Sequence, residues 1–205
     1  MRVNFIFVAM AALAIPAISM ANTTNLTFVQ TGQGNDYNLT YNNGQIDAFV
    51  GALQFKVGAS SSLTNMFCVD LDHEITQGQS YSATPIQTNT LPSGNVYQVA
   101  GDILNAGIGS ATDDNHAAAL QLAIWSEIYG NSFSASGVSG TVQGYETAYY
   151  NAGLKTTSNA LFYQGAPGSN GQSQITTTPE PASFAFLGIG LIGIFSTRKC
   201  RAKTA

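Results

Sequence analysis

The residue best equipped for chemistry is a lone thiol, Cys68, in the run Phe67-Cys68-Val69-Asp70. The only other cysteine, Cys200, lies in the basic stretch Arg198-Lys199-Cys200-Arg201 near the C-terminus. With one cysteine in the body of the chain no internal disulfide can close. Cys68 is then an inert buried thiol, an intermolecular partner or a reactive group. A cysteine hydrolase would pair it with His73 or His116, since the thiolate is the nucleophile and an imidazole its base. Two features oppose that reading. Asp70, Asp72 and Glu74 surround the thiol with negative charge, which raises its pKa. Alternation along a strand turns His73 to the face opposite Cys68, and His116, in the first turn of a helix, is expected to be exposed. By the same alternation the three carboxylates share one face with Cys68 and form the one cofactor candidate, a Ca²⁺ site. No EF-hand loop accompanies them, and a solvated acidic strand face accounts for them equally well.

Turn cues and periodicity define the elements that hold these residues. Leu26 to Gln30 reads as a short strand and Gly32 to Asp36 as a turn. Tyr37 to Tyr41 and Ile46 to Val57 flank Asn42-Asn43-Gly44, a hairpin cue. Leu63 to Ile75 and Ser80 to Thr88 follow as strands. The middle is helical: Val96 to Ala106 stops at Gly107, and a second helix, capped by Asp113 or Asp114, runs to Tyr129 and stops at Gly130. Val142 to Leu154 reads as a third helix, with Tyr145 and Tyr149 on one face as core or as a carbohydrate-stacking patch. Leu161 to Gln164 and Ser173 to Thr177 close the pattern. The expected fold class is α+β, one mostly antiparallel β domain with a helical insertion over about residues 96–155.

The second helix carries Leu120-Gln121-Leu122-Ala123-Ile124-Trp125. At about 100° per residue, Leu120, Ile124, Ile128, Trp125 and their apolar neighbours spread over one arc, with Gln121 near its middle and Ala123, Ser126 and Glu127 opposite. A primary amide has two donors and an acceptor to satisfy. Leaving one buried group unpaired costs about 1–3 kcal/mol. Gln121 therefore has a hydrogen-bond partner, or its amide has been changed chemically.

These two segments resemble the thioester domains of bacterial surface adhesins. Those domains carry an aromatic-Cys-apolar motif on a strand and, downstream, a Gln-x-Ala-apolar-Trp motif, usually with Thr before the Gln. Here Phe67 precedes Cys68, and Gln121 is followed by Ala123, Ile124 and Trp125, with Leu120 in place of the Thr. The likeness covers roughly residues 63–130. It implies that the Cys68 sulfur condenses with the Gln121 side chain, with loss of ammonia, to form an internal thioester. It further implies that a protein amine or a glycan hydroxyl on a target attacks at Gln121, forming a covalent link and freeing Cys68. Phe67, Ala123, Ile124 and Trp125 would enclose the bond against water. The helix carrying Gln121 should then pack on the strand carrying Cys68.

The two ends carry addresses. Arg2, an apolar run from Val3 to Ala14, Pro16 and the small residues of Ser19-Met20-Ala21 read as a secretory signal peptide over 1–21, cut by signal peptidase between Ala21 and Asn22. At the other end Pro179-Glu180-Pro181 precedes an apolar stretch from Ala182 to Phe195 and then the basic cluster with Lys203. That stretch is shorter than the roughly 20 residues of a stable spanning helix, which suits a transient membrane stop held by the positive-inside rule. The tail, 179–205, resembles the PEP-CTERM sorting signal of Gram-negative bacteria that build exopolysaccharide matrices. The resemblance implies an exosortase-type processing enzyme as partner, passage through the inner membrane, and a final place at the cell surface or in the matrix.

Between the ends lies the mature domain, 22–178. Lys56 and Lys155 stand there against ten carboxylates, a net charge of −8. So acidic a surface repels polyanions and excludes nucleic-acid binding. The expectation is a non-enzymatic surface or biofilm-matrix protein that adheres to a partner, covalently through Cys68 and Gln121. The rival is a structural matrix protein without a reactive bond, and a cysteine hydrolase is the remote third.

Overall fold

A computed structural model describes residues 23–178. The signal peptide with its Ala21–Asn22 cut, the Pro179-Glu180-Pro181 motif and the apolar stretch behind it lie outside the described residues. Seven antiparallel strands and three helices make up the domain: β1 (Thr24–Tyr41), β2 (Gly44–Val57), β3 (Leu63–Cys68), β4 (Ser80–Gln87), α1 (Val96–Gly107), α2 (Asp114–Tyr129), β5 (Phe133–Ser136), α3 (Gly140–Gly153), β6 (Ala160–Gly165) and β7 (Gln174–Thr177). The expected α+β class, mostly antiparallel β with a helical insertion, is what the chain adopts.

The strand order is β2-β3-β7-β6-β4-β1-β5, and β1 also pairs with β2, so six strands close into a ring with β5 added along the far half of β1. Closure removes most of the exposed ladder edge that an open sheet would present. The β1–β2 hairpin turns on Asn42 and Asn43, both at positive φ (49° and 65°), which matches the twist of the flanking strands. The turn expected at Gly32 to Asp36 is instead a continuation of β1, with register shifts between Phe28 and Gln30 and between Thr31 and Gly34. Gly34 and Gly51 face each other there, and a Cβ on Gly51 would sit 2.6 Å from the Gly34 Cα. The bulged backbone does work elsewhere: the Gly34 N–H donates to the Asp114 carboxylate at 3.1 Å and the Gln33 amide to the Thr112 carbonyl, fixing the start of α2 against the ring.

All three helices begin on a side-chain cap. Asn95, Asp113 and Ser139 accept from the backbone N–H groups of Tyr97, His116 and Val142. Gly130, at φ 51°, ends α2. From Ala117 to Trp125 every residue of α2 is buried. The two-faced helix expected from the sequence, with Ala123 on the polar side, does not hold, because α1 and α3 cover the side turned away from β1 and β2. β5 carries no strong pattern and was not anticipated. Its four residues are strand because Asn38–Tyr41 offers a free edge.

Close helix packing makes a test of this arrangement. A Cβ on Gly153 in α3 would lie 2.6 Å from the Ile103 Cα and 2.8 Å from its N, both backbone atoms of α1, whereas one on Gly144 of the same helix meets nothing within 4 Å. Gly153→Ala is expected to destabilise by about 1–3 kcal/mol through overpacking. Gly144→Ala is expected to stabilise by up to about 1 kcal/mol. Thermal melts of the two variants should therefore move in opposite directions.

Candidate functional site

Cys68 is the last residue of β3, and the sequence expectation of a strand running on to Ile75 fails there. The ladders run out on both sides: β2 leaves β3 at the Ala52–Phe67 pair, and β7 reaches Cys68–Gln174, with one further bond from the Val69 N–H to the Ser173 carbonyl. Beyond it the chain is tied down by other groups. The Asp70 carboxylate accepts from the Asp72 N–H (3.1 Å), the Ser173 N–H (3.2 Å) and His73 Nδ1 (2.9 Å). The Gln172 amide donates to the Asp70 and His73 carbonyls at 3.0 and 2.8 Å. The Tyr129 hydroxyl accepts from the Leu71 N–H and donates to the Val69 carbonyl.

Leaving the strand at Cys68 changes what faces what. Phe67, Cys68 and Val69 are all buried, at 1, 4 and 2% exposure, so Cys68 does not share a solvated face with Asp70, Asp72 and Glu74. Nor do the carboxylates project together. Asp70 caps its own loop, Asp72 accepts from the Tyr41 hydroxyl at 3.0 Å, and Glu74 is exposed. The strand alternation behind the Ca²⁺ reading is absent, and no cluster of three metal-ligating acidic, His or Cys side chains occurs among the described residues.

Gln121, 1% exposed, finds its partner in Cys68 itself. Its Oε1 accepts from the Cys68 N–H at 2.9 Å and its Nε2 donates to the Cys68 carbonyl at 2.8 Å. The side-chain amide thus behaves like a strand residue, completing the backbone of Cys68 where β3 has run out of ladder. Each such bond contributes about 1 kcal/mol net, and losing the pair would leave two backbone groups buried and unpaired. The carbonyl carbon of Gln121 is held against the one residue in the domain that carries a thiol.

The Cys68 sulfur donates to the Asp70 carbonyl (3.1 Å) and accepts from the Asp70 N–H (3.3 Å). Burial pushes its pKa from 9.0 up to about 12; the Asp70 N–H and the Trp125 indole pull it back in part, and the Asp70 carboxylate adds to the rise. Burial, not the acidic neighbourhood read from the sequence, is the main cause. Trp125 lies one helical turn beyond Gln121 and so on the same side of α2. Its indole N–H is buried without a hydrogen-bond acceptor in good geometry, beside the sulfur whose thiolate it would stabilise. Of the other residues expected around the bond, Phe67, Ala123 and Ile124 are fully buried in the core, but only Trp125 lines, with Cys68, the cavity of about 360 Å³ that opens here.

His73 lines that cavity too. The expectation that it points away from Cys68 rested on continuing the strand, and the loop brings it back. His116, expected to be exposed, is partly covered: it stacks on Tyr145 at 3.9 Å between ring centroids, and its Nδ1 bonds the Tyr149 hydroxyl. Tyr145 and Tyr149 thereby hold the start of α2 to α3. Sequence reasoning missed Gln172, Gln174 and Tyr129, which anchor the loop or pair with Cys68. They lie 61 to 106 residues from Cys68, and no local spacing signals them.

A free Cys68 thiol with this pKa carries on the order of a thousandfold less thiolate near neutrality than an ordinary cysteine. Iodoacetamide labelling of free thiol at pH 8 is expected to be slower by about that factor in folded protein than in urea. The stability contributed by the buried neutral thiol should be complete below pH 9.0 and fall as pH rises toward 12. Equal labelling rates folded and unfolded would contradict the enclosure.

Residues 177–201 match the PEP-CTERM protein-sorting motif. No curated protein is significantly similar to the chain in sequence. Among solved structures the chain is similar to the N-terminal thioester domain of a surface protein from Clostridium perfringens, at 10% identity and a TM-score of 0.53, over 77% of this chain and 99% of that one. It is also similar to the thioester domain of the Staphylococcus aureus TIE protein, at 12% identity and a TM-score of 0.50, over 77% and 94%. The chain thus carries a sorting motif that marks it for export and for processing by an exosortase-type enzyme, behind a domain whose fold is similar to that of bacterial thioester domains.

Proposed function

We propose that the exported domain is a covalent attachment module, in which Cys68 and Gln121 condense into an internal thioester that a target at the cell surface or in the extracellular matrix then opens. The observation that carries this reading is the double hydrogen bond between the Gln121 amide and the Cys68 backbone. It fixes the acyl carbon beside the thiol-bearing residue, which replaces a bimolecular encounter by an intramolecular one. In the condensation the sulfur attacks the Gln121 Cδ, the C–N bond breaks, and the thiol proton leaves with the amide nitrogen as ammonia. Loss of ammonia to bulk solvent keeps the bond formed.

Burial supports the second half of the reading. A thioester persists only where water is scarce, and Gln121, Trp125, Phe67 and Ile124 are each exposed by 1% or less. The 360 Å³ cavity gives a target group access to Cys68 without opening the core. Trp125 supplies an indole N–H with no other acceptor, placed to stabilise charge on the departing sulfur. The domain is consumed by the reaction, once per molecule, so it attaches and does not turn over. Both reacting groups belong to the chain, and no cofactor enters. A buried thiol with its pKa raised to about 12 is a poor hydrolytic nucleophile, which disfavours the cysteine hydrolase.

A second reading is favoured by the same two hydrogen bonds. They leave the Gln121 amide well paired as it stands, which suits an unreactive structural component of a biofilm or exopolysaccharide matrix. Intact mass of the purified protein before and after methylamine separates the two. A chain lighter than its sequence by one ammonia, which gains methylamine at Gln121 and a free thiol at Cys68, is the expected result. A mass equal to that of the plain sequence, unchanged by methylamine, would leave the structural reading in possession.

A further inference from the structure

The cavity that reaches Cys68 holds a second piece of chemistry, one that thioester formation does not use. His73 Nδ1 lies 3.1 and 2.9 Å from the two Asp70 carboxylate oxygens. A carboxylate only accepts, so Nδ1 carries the proton and Nε2 offers a lone pair. Nε2 makes no hydrogen bond among the described residues. Asp70 is itself fixed, its carboxylate bound to the Ser173 and Asp72 N–H groups and its carbonyl to the Gln172 amide and the Cys68 sulfur. The imidazole is thus oriented by a rigid carboxylate, on the loop that begins at the sulfur, and it lines the same cavity. Its side chain is 45% exposed, within reach of an incoming group.

We propose that His73, held by Asp70, takes the proton from the nucleophile that opens the Cys68–Gln121 bond and passes it to the leaving sulfur, which fits the site to hydroxyl-bearing targets such as glycans. The assignment rests on the thioester reading above. A neutral amine attacks an acyl carbon unaided, whereas a hydroxyl is a weak nucleophile until a base removes its proton as it attacks. A base oriented by a carboxylate is the equipment the second class needs. In the step, the hydroxyl oxygen bonds to the Gln121 Cδ and its proton moves to His73 Nε2. The C–S bond then breaks with its electron pair on Sγ, and the imidazolium proton transfers to Sγ. The products are an ester at Gln121, a Cys68 thiol and a neutral His73. Burial that raises the thiol pKa makes an unprotonated leaving sulfur costly, so a proton donor at the exit serves the same step. Besides Asp70, which holds its Nδ1, the charged or titratable groups that line the cavity with His73 are Glu74, Asp47 and Cys68, and no Lys or Arg lines it.

Intact-mass kinetics with glycerol and with methylamine, on wild type and His73→Gln, test the assignment, each rate being taken per molecule that shows the ammonia deficit. Opening by glycerol should rise with pH as one group loses a proton. His73→Gln should slow it on the order of 10²-fold or more and flatten that dependence. Methylamine opening should change by less than about tenfold. Equal glycerol rates and pH dependence in the two proteins would overturn the assignment while leaving the thioester standing, as would a wild type opened by methylamine alone. A wild type without the deficit would overturn the thioester reading and this assignment together.

Discussion

The arrangement depends on one constraint: the backbone of Cys68 must be paired at the place where its strand ends. A buried N–H and C=O left unpaired each cost about 1–3 kcal/mol. On one side β7 still meets Cys68 at Gln174, and the Val69 N–H donates to the Ser173 carbonyl. On the other side β2 leaves β3 at the Ala52–Phe67 pair, and the Cys68 N–H and C=O turn to that side by alternation. The Gln121 amide supplies the missing donor and acceptor from a helix 53 residues away. This is a structural requirement first. It locks α2 in rotation and translation against the ring, since an amide has only one orientation that satisfies both groups. The chemistry proposed above draws on the same geometry, because in the thioester reading the group that completes the backbone is the acyl donor.

Everything around that contact acts to keep it fixed. The bulge in β1 holds the N-terminal end of α2 through Asp114, and the Tyr129 hydroxyl holds its C-terminal end to the Val69–Leu71 backbone. Gln121 lies between these two anchors. α1 and α3 cover the outer side, with Gly153 permitting direct contact to the backbone of Ile103. The helix is in this way clamped at both ends and on its back, as a site needs when a reaction depends on placement within fractions of an ångström.

The polar groups near Cys68 are divided by their exposure. On the buried side stand the Gln121 amide, the Trp125 indole and the sulfur, in a setting that disfavours charge and water. On the open side stand Asp70 and His73, tied to the loop that leaves the strand. Under the proposed function, a bond sensitive to hydrolysis and a proton-transfer pair can coexist only if one is enclosed and the other is accessible. The end of β3 separates them within five residues. In a chain whose mature part carries a net charge of −8, the scarcity of cations near this cavity also leaves the imidazole as the one basic group in its lining.

Local signals were enough for much of the fold. Asn42-Asn43-Gly44 specified a hairpin, Asp113 and Gly130 bounded α2, and the spacing of apolar residues marked three helices within a β-rich chain, because turns and caps are settled by groups within a few residues of one another. The buried amide at Gln121 was also legible as needing a partner, since the arc around it was apolar. The sequence likewise carried the sorting motif, which is read by processing machinery and not by the fold. What tertiary structure decided was the end of β3, the burial of Ala123 on a helix that looked two-faced, and the turn of His73 into the cavity of Cys68. Each depends on an element outside the segment itself: β2 and β7 running out on either side of β3, α1 and α3 covering α2, and Gln172 pinning the loop. Alternation predicts a facing only while a ladder continues, and whether it continues is set by the partner strands on either side, not by the segment itself.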